Sequence, residues 1–383
     1  MLNSTEQSGC KNLNRNSKLA AAYAFETFLK HRDDNIEANT RINMMNMNKC
    51  FSVATLSVLV TGGLVLAGDV QVTGAGATFP NPIYSKWFQE FGKLHKDTQI
   101  NYQSLGSGAG IKQLTAGTVD FGASDVPMTE EQMKALKIPA LHIPTVLGAV
   151  VPIYNLPGYT QELKLSGENL ADIYLGKIKT WGDKKLAADN PGLPDKPIIV
   201  THRSDASGTS FIFTDYLSKV SSDWKGKAGA AASVAWPVAG LGGKGSEGVT
   251  GLVKQQPYSI GYVEAIYAIQ NKLGSALMKN KAGKYVKGEL AGVTAAAAGA
   301  AKEMPKDFRV SITDAPGAES YPISSFTWLL IPTHFDDAAK KNMMVQFLHW
   351  MVKDGQQFAS GLGFAPLPKE VAAKVEAAIA QVK

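Results

Sequence analysis

Four polar, glycine-bearing turns constrain this chain more than any other feature: GAGATFP (74–80), LGSGAG (105–110), FGASD (121–125) and RSDASGTS (203–210). Each stands at the end of an apolar, strand-like run or at the mouth of a helix-like one. Short apolar runs alternating with amphipathic helices build α/β layers. Open α/β sheets take their ligands at the carboxyl ends of the strands, and the helix starts found there present unpaired N–H groups with partial positive charge. Any one of these turns alone reads as an ordinary N-cap cluster. Together they supply hydroxyls, free N–H groups, one guanidinium (Arg203) and, besides Asp205 beside that arginine, one further carboxylate (Asp125), an inventory suited to a small oxyanion.

Between the turns the pattern is regular. Ile83, Trp87, Phe91 and Leu94 recur at helical spacing; QINYQSL (99–105) reads as a strand and GIKQLTAG (110–117) as a short helix. TEEQ (129–132) is a capping-box pattern. VLGAVVPIYN, PIIVTHR, SIGYVEAIYAI and SSFTWLLIP read as strands, and 207–220, 246–256 and 339–353 as helices. Trp181, Trp224, Trp236, Trp328 and the face Val345, Leu348, Met351 read as packing. About 315 residues follow position 67, more than one core usually organises. If VLGAVVP and YPISSFT are both crossings, the chain leaves its first domain near residue 146 and returns near 322. That organisation gives 68–146 with 322–383 as lobe I and 147–321 as lobe II.

FSVATLSVLVTGGLVLA (51–67) is an uncharged apolar run preceded by Lys49 and closed by small residues. It has the form of a secretory signal cleaved near Ala67 or Gly68. As a membrane anchor it is shorter than the ~20 residues a span needs. Residues 1–43 do not resemble a signal n-region, which makes Met44, Met45 or Met47 the expected start. Cys10 and Cys50 precede the cut, so the exported chain would hold no thiol for catalysis, disulfides or metal binding. The full chain carries a formal charge of +6; its first 67 residues hold seven of the 39 basic and five of the 33 acidic side chains, leaving a surplus of four. No basic block of nucleic-acid-binding length accompanies it.

The runs TGAGATFP, YQSLGSGAGIKQL, TVDFGASDVPM, LADIYLGKIKTW, RSDASGTSFIFTDYL, WPVAGLGGKGSEG and IGYVEAIYA, from about residue 73 to 270, carry a resemblance to the periplasmic phosphate-binding proteins of bacterial ABC phosphate importers. The resemblance implies an α/β, two-lobed periplasmic-binding-protein fold with a double-crossing hinge and the ligand in the interlobe cleft. It implies a monomeric, non-catalytic carrier in the periplasm that binds inorganic phosphate without a cofactor or metal and delivers it to the transmembrane subunits of an ABC permease. Thr78 would donate from its hydroxyl and Phe79 from its backbone, and Ser107 would bind through its hydroxyl and the helix start. Asp125 would accept a proton from the ligand. Arg203 would supply charge, and Ser207, Gly208 and Thr209 would close the site from the second lobe. Asp205 would pair with Arg203 outside direct contact. The chain departs from the family at Gly108 and Ala109, where relatives have a serine and a glycine, and at His202, which receives no role.

Asp125 carries the sharpest argument. A carboxylate facing an anion is normally a penalty. Phosphate near neutral pH keeps a P–OH that can donate to it, whereas sulfate offers only lone pairs. A site built around a ligand donor rejects an isostere lacking it by roughly 10⁴-fold. Competing readings are weaker. A phosphate-ester hydrolase lacks a G-x-S-x-G elbow at Ser107 or Ser207, and the chain has no HExxH motif. His31, His95, His142, His202, His334 and His349 are scattered singly. GLGGKG (240–245) fits a dinucleotide-binding pattern, but Pro237 precedes it where a strand should run, so it reads as a loop, with Ser246 and Glu247 as a helix cap and first turn. Carriage of another oxyanion, such as sulfate or molybdate, is opposed by Asp125.

Overall fold

The computed structural model describes residues 70–302 and 304–383. The apolar run 51–67, the expected start sites, the expected cleavage point and both cysteines lie outside the described residues. Twelve strands follow in chain order: β1 (Val70–Gly76), β2 (Thr98–Ser104), β3 (Phe121–Ser124), β4 (Ala140–Asn155), β5 (Lys164–Leu165), β6 (Ile199–Arg203), β7 (Leu241–Gly243), β8 (Ser259–Glu264), β9 (Gly274–Ser275), β10 (Leu277–Lys279), β11 (Tyr285–Val286) and β12 (Ser324–Pro332). The main sheet runs β2-β1-β3-β12-β4-β8-β6-β7, with β9 also paired to β4, and β11-β10-β5 forms a small second sheet.

Two elements organise the main sheet. Strand β4 is 16 residues long: Ala140–Ala149 pairs antiparallel with β12, and Val150–Asn155 pairs antiparallel with β8. On either side the pairings are parallel, β1 with β2 and β3, and β6 with β7 and β8. Strands buried on both faces read as continuous apolar runs rather than alternating ones. That is why VLGAVVPIYN and SSFTWLLIP stand out in the sequence, and every residue of β12 but Pro332 is buried.

The helix Asn81–Leu94 opens directly after Thr78-Phe79-Pro80 and buries Ile83, Tyr84, Trp87 and Phe91. Tyr84 and Phe88 from this helix meet Tyr102 and Phe121 of the sheet in an aromatic cluster. Burying each such ring stabilises by about 1.5–3 kcal/mol relative to exposure. Trp181, Trp224 and Trp328 are fully buried, as are Leu348 and Met351, while Trp236 and Val345 are partly buried against the core. Thr129 and Gln132 form the expected capping box.

Three local expectations need correction. Leu94, the last residue of its helix, is 65% exposed rather than part of the buried face. SIGYVEAIYAI is a strand only to Glu264, whose carboxylate accepts the N–H of Ile266 at 2.8 Å and starts the helix Ala265–Asn271. An N-cap acceptor decides the change where the apolar pattern is equivocal. GLGGKG is partly strand: Leu241–Gly243 pairs in parallel with Thr201–Arg203. Among the described residues, no helix is long and apolar enough to cross a membrane.

Candidate functional site

The four polar turns converge. Strand β6 ends at Arg203, which is 4% exposed, and its guanidinium forks onto Asp205 two residues on, Nε to Oδ1 at 2.8 Å and Nη2 to Oδ2 at 2.6 Å. Its Nη1 donates to Thr78 Oγ1 at 3.1 Å and to Thr209 Oγ1 at 3.5 Å. Burial raises the pKa of Asp205, but the hydrogen bonds and charge of Arg203, with the Gly245 N–H at 3.0 Å, bring its carboxyl below the ordinary value. Asp205 therefore holds the fork still and stays ionised while doing so.

Thr78 sits between β1 and the first helix. Its hydroxyl oxygen accepts from Arg203 and from the Ser246 N–H at 3.2 Å, and it lies 3.0 Å from Ser246 Oγ. With both lone pairs engaged, the Thr78 proton is left to donate. The neighbouring Phe79 ring is buried against Phe364, and the Thr78 carbonyl accepts from Tyr267 OH at 2.6 Å.

Ser107 opens the helix Ser107–Ala116, and Ser207 caps the helix Gly208–Val220 through Ser210 N at 3.1 Å. The two helix starts face each other. Ser107 Oγ accepts the Gly208 N–H at 3.1 Å and the Asp125 N–H at 3.1 Å, and donates to Asp125 Oδ2 at 3.3 Å. A Cβ at Gly208 would stand 2.4 Å from Ser107 Oγ and 2.6 Å from Asp125 Cβ. Only glycine lets the backbones come this close. Among the described residues, the N–H groups of Phe79, Ser107 and Thr209 have no hydrogen-bond partner. Three orphan donors at two helix starts and a turn are groups that could together receive an anion.

Asp125 directly follows β3 and is 2% exposed. Burial pushes its carboxyl up to about 7, against the lowering effects of the Thr327 hydrogen bond, the Arg203 charge and Ser107. Thr327 Oγ1 donates to Oδ1 at 2.7 Å. The site thus combines many donors with one carboxylate able to accept, a set that suits an anion retaining a proton.

All nine residues expected from the sequence, including Asp205, are buried or half-buried, and hydrogen bonds or close approaches tie them into one locus. The departure at Gly108 has a local reason: a Cβ there would meet Ala206 Cβ at 2.4 Å, and the Gly108 N–H donates to the Ala206 carbonyl at 3.0 Å. His202 stacks on Trp236 at 4.9 Å between centroids. Three residues went unassigned in the sequence. Ser246, expected to cap its helix, lies inside it and faces Thr78; Tyr267 and Thr327 sit in runs that read as strand.

Beside Asp125 a cleft of about 460 Å³ opens between Phe211, Arg309 and Trp328. A strap crosses it. The Phe308 carbonyl accepts from Trp328 Nε1 at 3.0 Å, and Arg309 reaches the Met128 carbonyl at 3.1 Å and Glu130 at 2.6 Å. Farther along, Ser311 and Thr313 donate to Asp215 at 2.6 and 2.5 Å.

Residues 65–354 match the PBP superfamily domain. The chain belongs to that superfamily. It is 47% identical over 328 residues to the phosphate-binding protein PstS of Pasteurella multocida, covering 85% of this chain and 94% of that one. With the phosphate-binding protein PstS of Haemophilus influenzae it shares 44% over 322 residues, 83% of this chain and 95% of the other. In fold it is similar to a high-affinity periplasmic phosphate-binding protein solved with phosphate bound, at a TM-score of 0.67 and 21% identity, over 80% of this chain and 93% of that one.

Proposed function

We propose that this chain binds inorganic phosphate in the periplasm and delivers it to an ABC-type import permease, as a non-catalytic monomer exported by way of a cleaved signal. Its relatives are named for phosphate binding, and its site has the matching chemistry. The observation that carries the reading is Asp125, buried beside the Arg203 clamp and two facing helix starts. An anion lacking a proton would meet this carboxylate as a repulsion; HPO₄²⁻ or H₂PO₄⁻ would meet it as an acceptor.

The two lobes are read as 68–146 with 322–383, and 147–321. Support comes from β4, whose first part pairs with β12 and whose second part pairs with β8. Thr78, Phe79, Ser107 and Asp125 would then come from lobe I, and Arg203, Ser207, Gly208 and Thr209 from lobe II. Closing the lobes completes the donor set around the anion, so capture and the change of shape offered to a permease share the same residues. Isothermal titration of the purified chain with phosphate and sulfate at pH 8, where Asp125 is ionised, tests the reading. Saturable phosphate binding with no sulfate binding is expected; equal binding of both anions, or of neither, would overturn it.

A further inference from the structure

Thr327 lies in the middle of a buried apolar strand, where valine would pack equally well. Its hydroxyl is explained by Asp125, 202 positions away, whose Oδ1 it holds at 2.7 Å. The other carboxylate oxygen, Oδ2, receives only the longer bond from Ser107, at 3.3 Å. Thr327 stands where β12 slips against β4: Thr327 pairs with Val146 but Trp328 with Pro144, leaving Thr145 as the extra residue. Such bulges re-aim side chains beside functional sites. Tyr84 OH lies 2.9 Å from Thr145 Oγ1, which donates to the Thr327 carbonyl at 3.2 Å, and Gln356 Nε2 donates to the Thr145 carbonyl at 3.0 Å. Tyr84, Thr145 and Thr327 are fully buried.

We propose that Thr327 is a specificity-determining positioning residue, whose hydroxyl occupies Oδ1 of Asp125 so that the carboxylate stays a proton acceptor and presents Oδ2 to a protonated tetrahedral anion. The inference rests on the phosphate reading above. With Oδ1 held by a donor, the ionised form is favoured. Without that donor the buried group takes up a proton more readily, and a neutral carboxyl donates to an anion that has no hydrogen of its own. Sulfate would then become acceptable.

The other groups facing Asp125 do not substitute for this device. Arg203, from β6, is already paired with Asp205. Glu264, at the end of β8, is buried, and burial raises its pKa well above the ordinary glutamate value; its Oε2 is already taken by the Ile266 N–H at 2.8 Å. Tyr84, from the first helix, and Tyr102, from β2, are held neutral by burial.

The test is calorimetric titration of the full chain and its variants with phosphate and sulfate from pH 6 to 9. Thr327→Val should weaken phosphate binding by about tenfold or more, as expected for losing a hydrogen bond to a charged group. It should also go on admitting sulfate to a higher pH than the parent does, with that binding fading as pH rises further. Thr327→Ser should restore both behaviours, and Thr327→Cys, a weaker donor of similar size, should fall between, which keeps the test decisive should the valine variant fold poorly. The inference is overturned if Thr327→Val or Thr327→Cys keeps the sulfate rejection and pH profile of the parent, whether or not phosphate affinity changes. A parent that binds no phosphate would instead remove the functional reading beneath it.

Discussion

Arg203 donates to both carboxylate oxygens of Asp205 and reaches Thr78 across 125 positions with its remaining nitrogen. Its side chain is 1% exposed, so Asp205 is the counter-ion of a buried charge. Removing one partner of a buried pair costs about 3–5 kcal/mol. Asp205→Ala should therefore lower the Tm of the ligand-free protein by roughly 5–10 °C. Phosphate should recover a larger part of that loss than it adds to the parent, because the anion becomes the missing counter-ion. Scanning calorimetry with and without phosphate checks both statements.

Gly208→Ala places a methyl group 2.4 Å from Ser107 Oγ and 2.6 Å from Asp125 Cβ. Overpacking of about 1–3 kcal/mol falls on the closed arrangement, which amounts to about a 5- to 160-fold loss of phosphate affinity. The Tm of the ligand-free variant should change little, since an opened cleft relieves the clash. Titration calorimetry and thermal melting, run together, separate the two effects.

The buried carboxyl of Asp125 is raised to about 7 from an ordinary value of 3.8. The folded chain therefore binds this proton more tightly than the unfolded chain does. Its contribution to stability is complete below the unfolded value and is lost as pH rises through about 7. The ligand-free parent should lose stability between about pH 4 and 7, and Asp125→Asn should flatten that slope, gaining up to about 4 kcal/mol at pH 8. Denaturant midpoints of the two proteins across the range provide the comparison; equal slopes would show that Asp125 ionises freely.

Arg309 ties the strap to Met128 and Glu130, and its side chain is 24% exposed. Contacts at such a rim contribute modestly, about 0.2–1 kcal/mol each. Arg309→Ala should accelerate phosphate release by about two- to tenfold and leave association nearly unchanged. Stopped-flow release kinetics would show it.

What the sequence made legible was local. RSDASGTS, FGASD and LGSGAG announce themselves because glycine, hydroxyls and a helix start occur within a few positions, and the long apolar runs betray β4 and β12. Thr327, by contrast, is a β-branched residue in an apolar strand, and nothing near it points to Asp125. Ser246 looks like a cap because serine ahead of an acidic first turn is the usual signature, yet its partner is Thr78, 168 positions earlier. The switch from strand to helix at Glu264 depends on one side-chain hydrogen bond that periodicity does not encode. Pairings across the cleft are products of topology, which a one-dimensional pattern carries only weakly.

The account turns on the proton that Asp125 accepts, and competition between phosphate and sulfate at pH 8 for the parent and Asp125→Asn tests it most directly. The parent should favour phosphate by roughly 10⁴-fold, and the asparagine variant should bind sulfate within about tenfold of phosphate, because an amide can donate where the carboxylate could only accept. A variant that turned sulfate away as strongly as the parent would contradict the account.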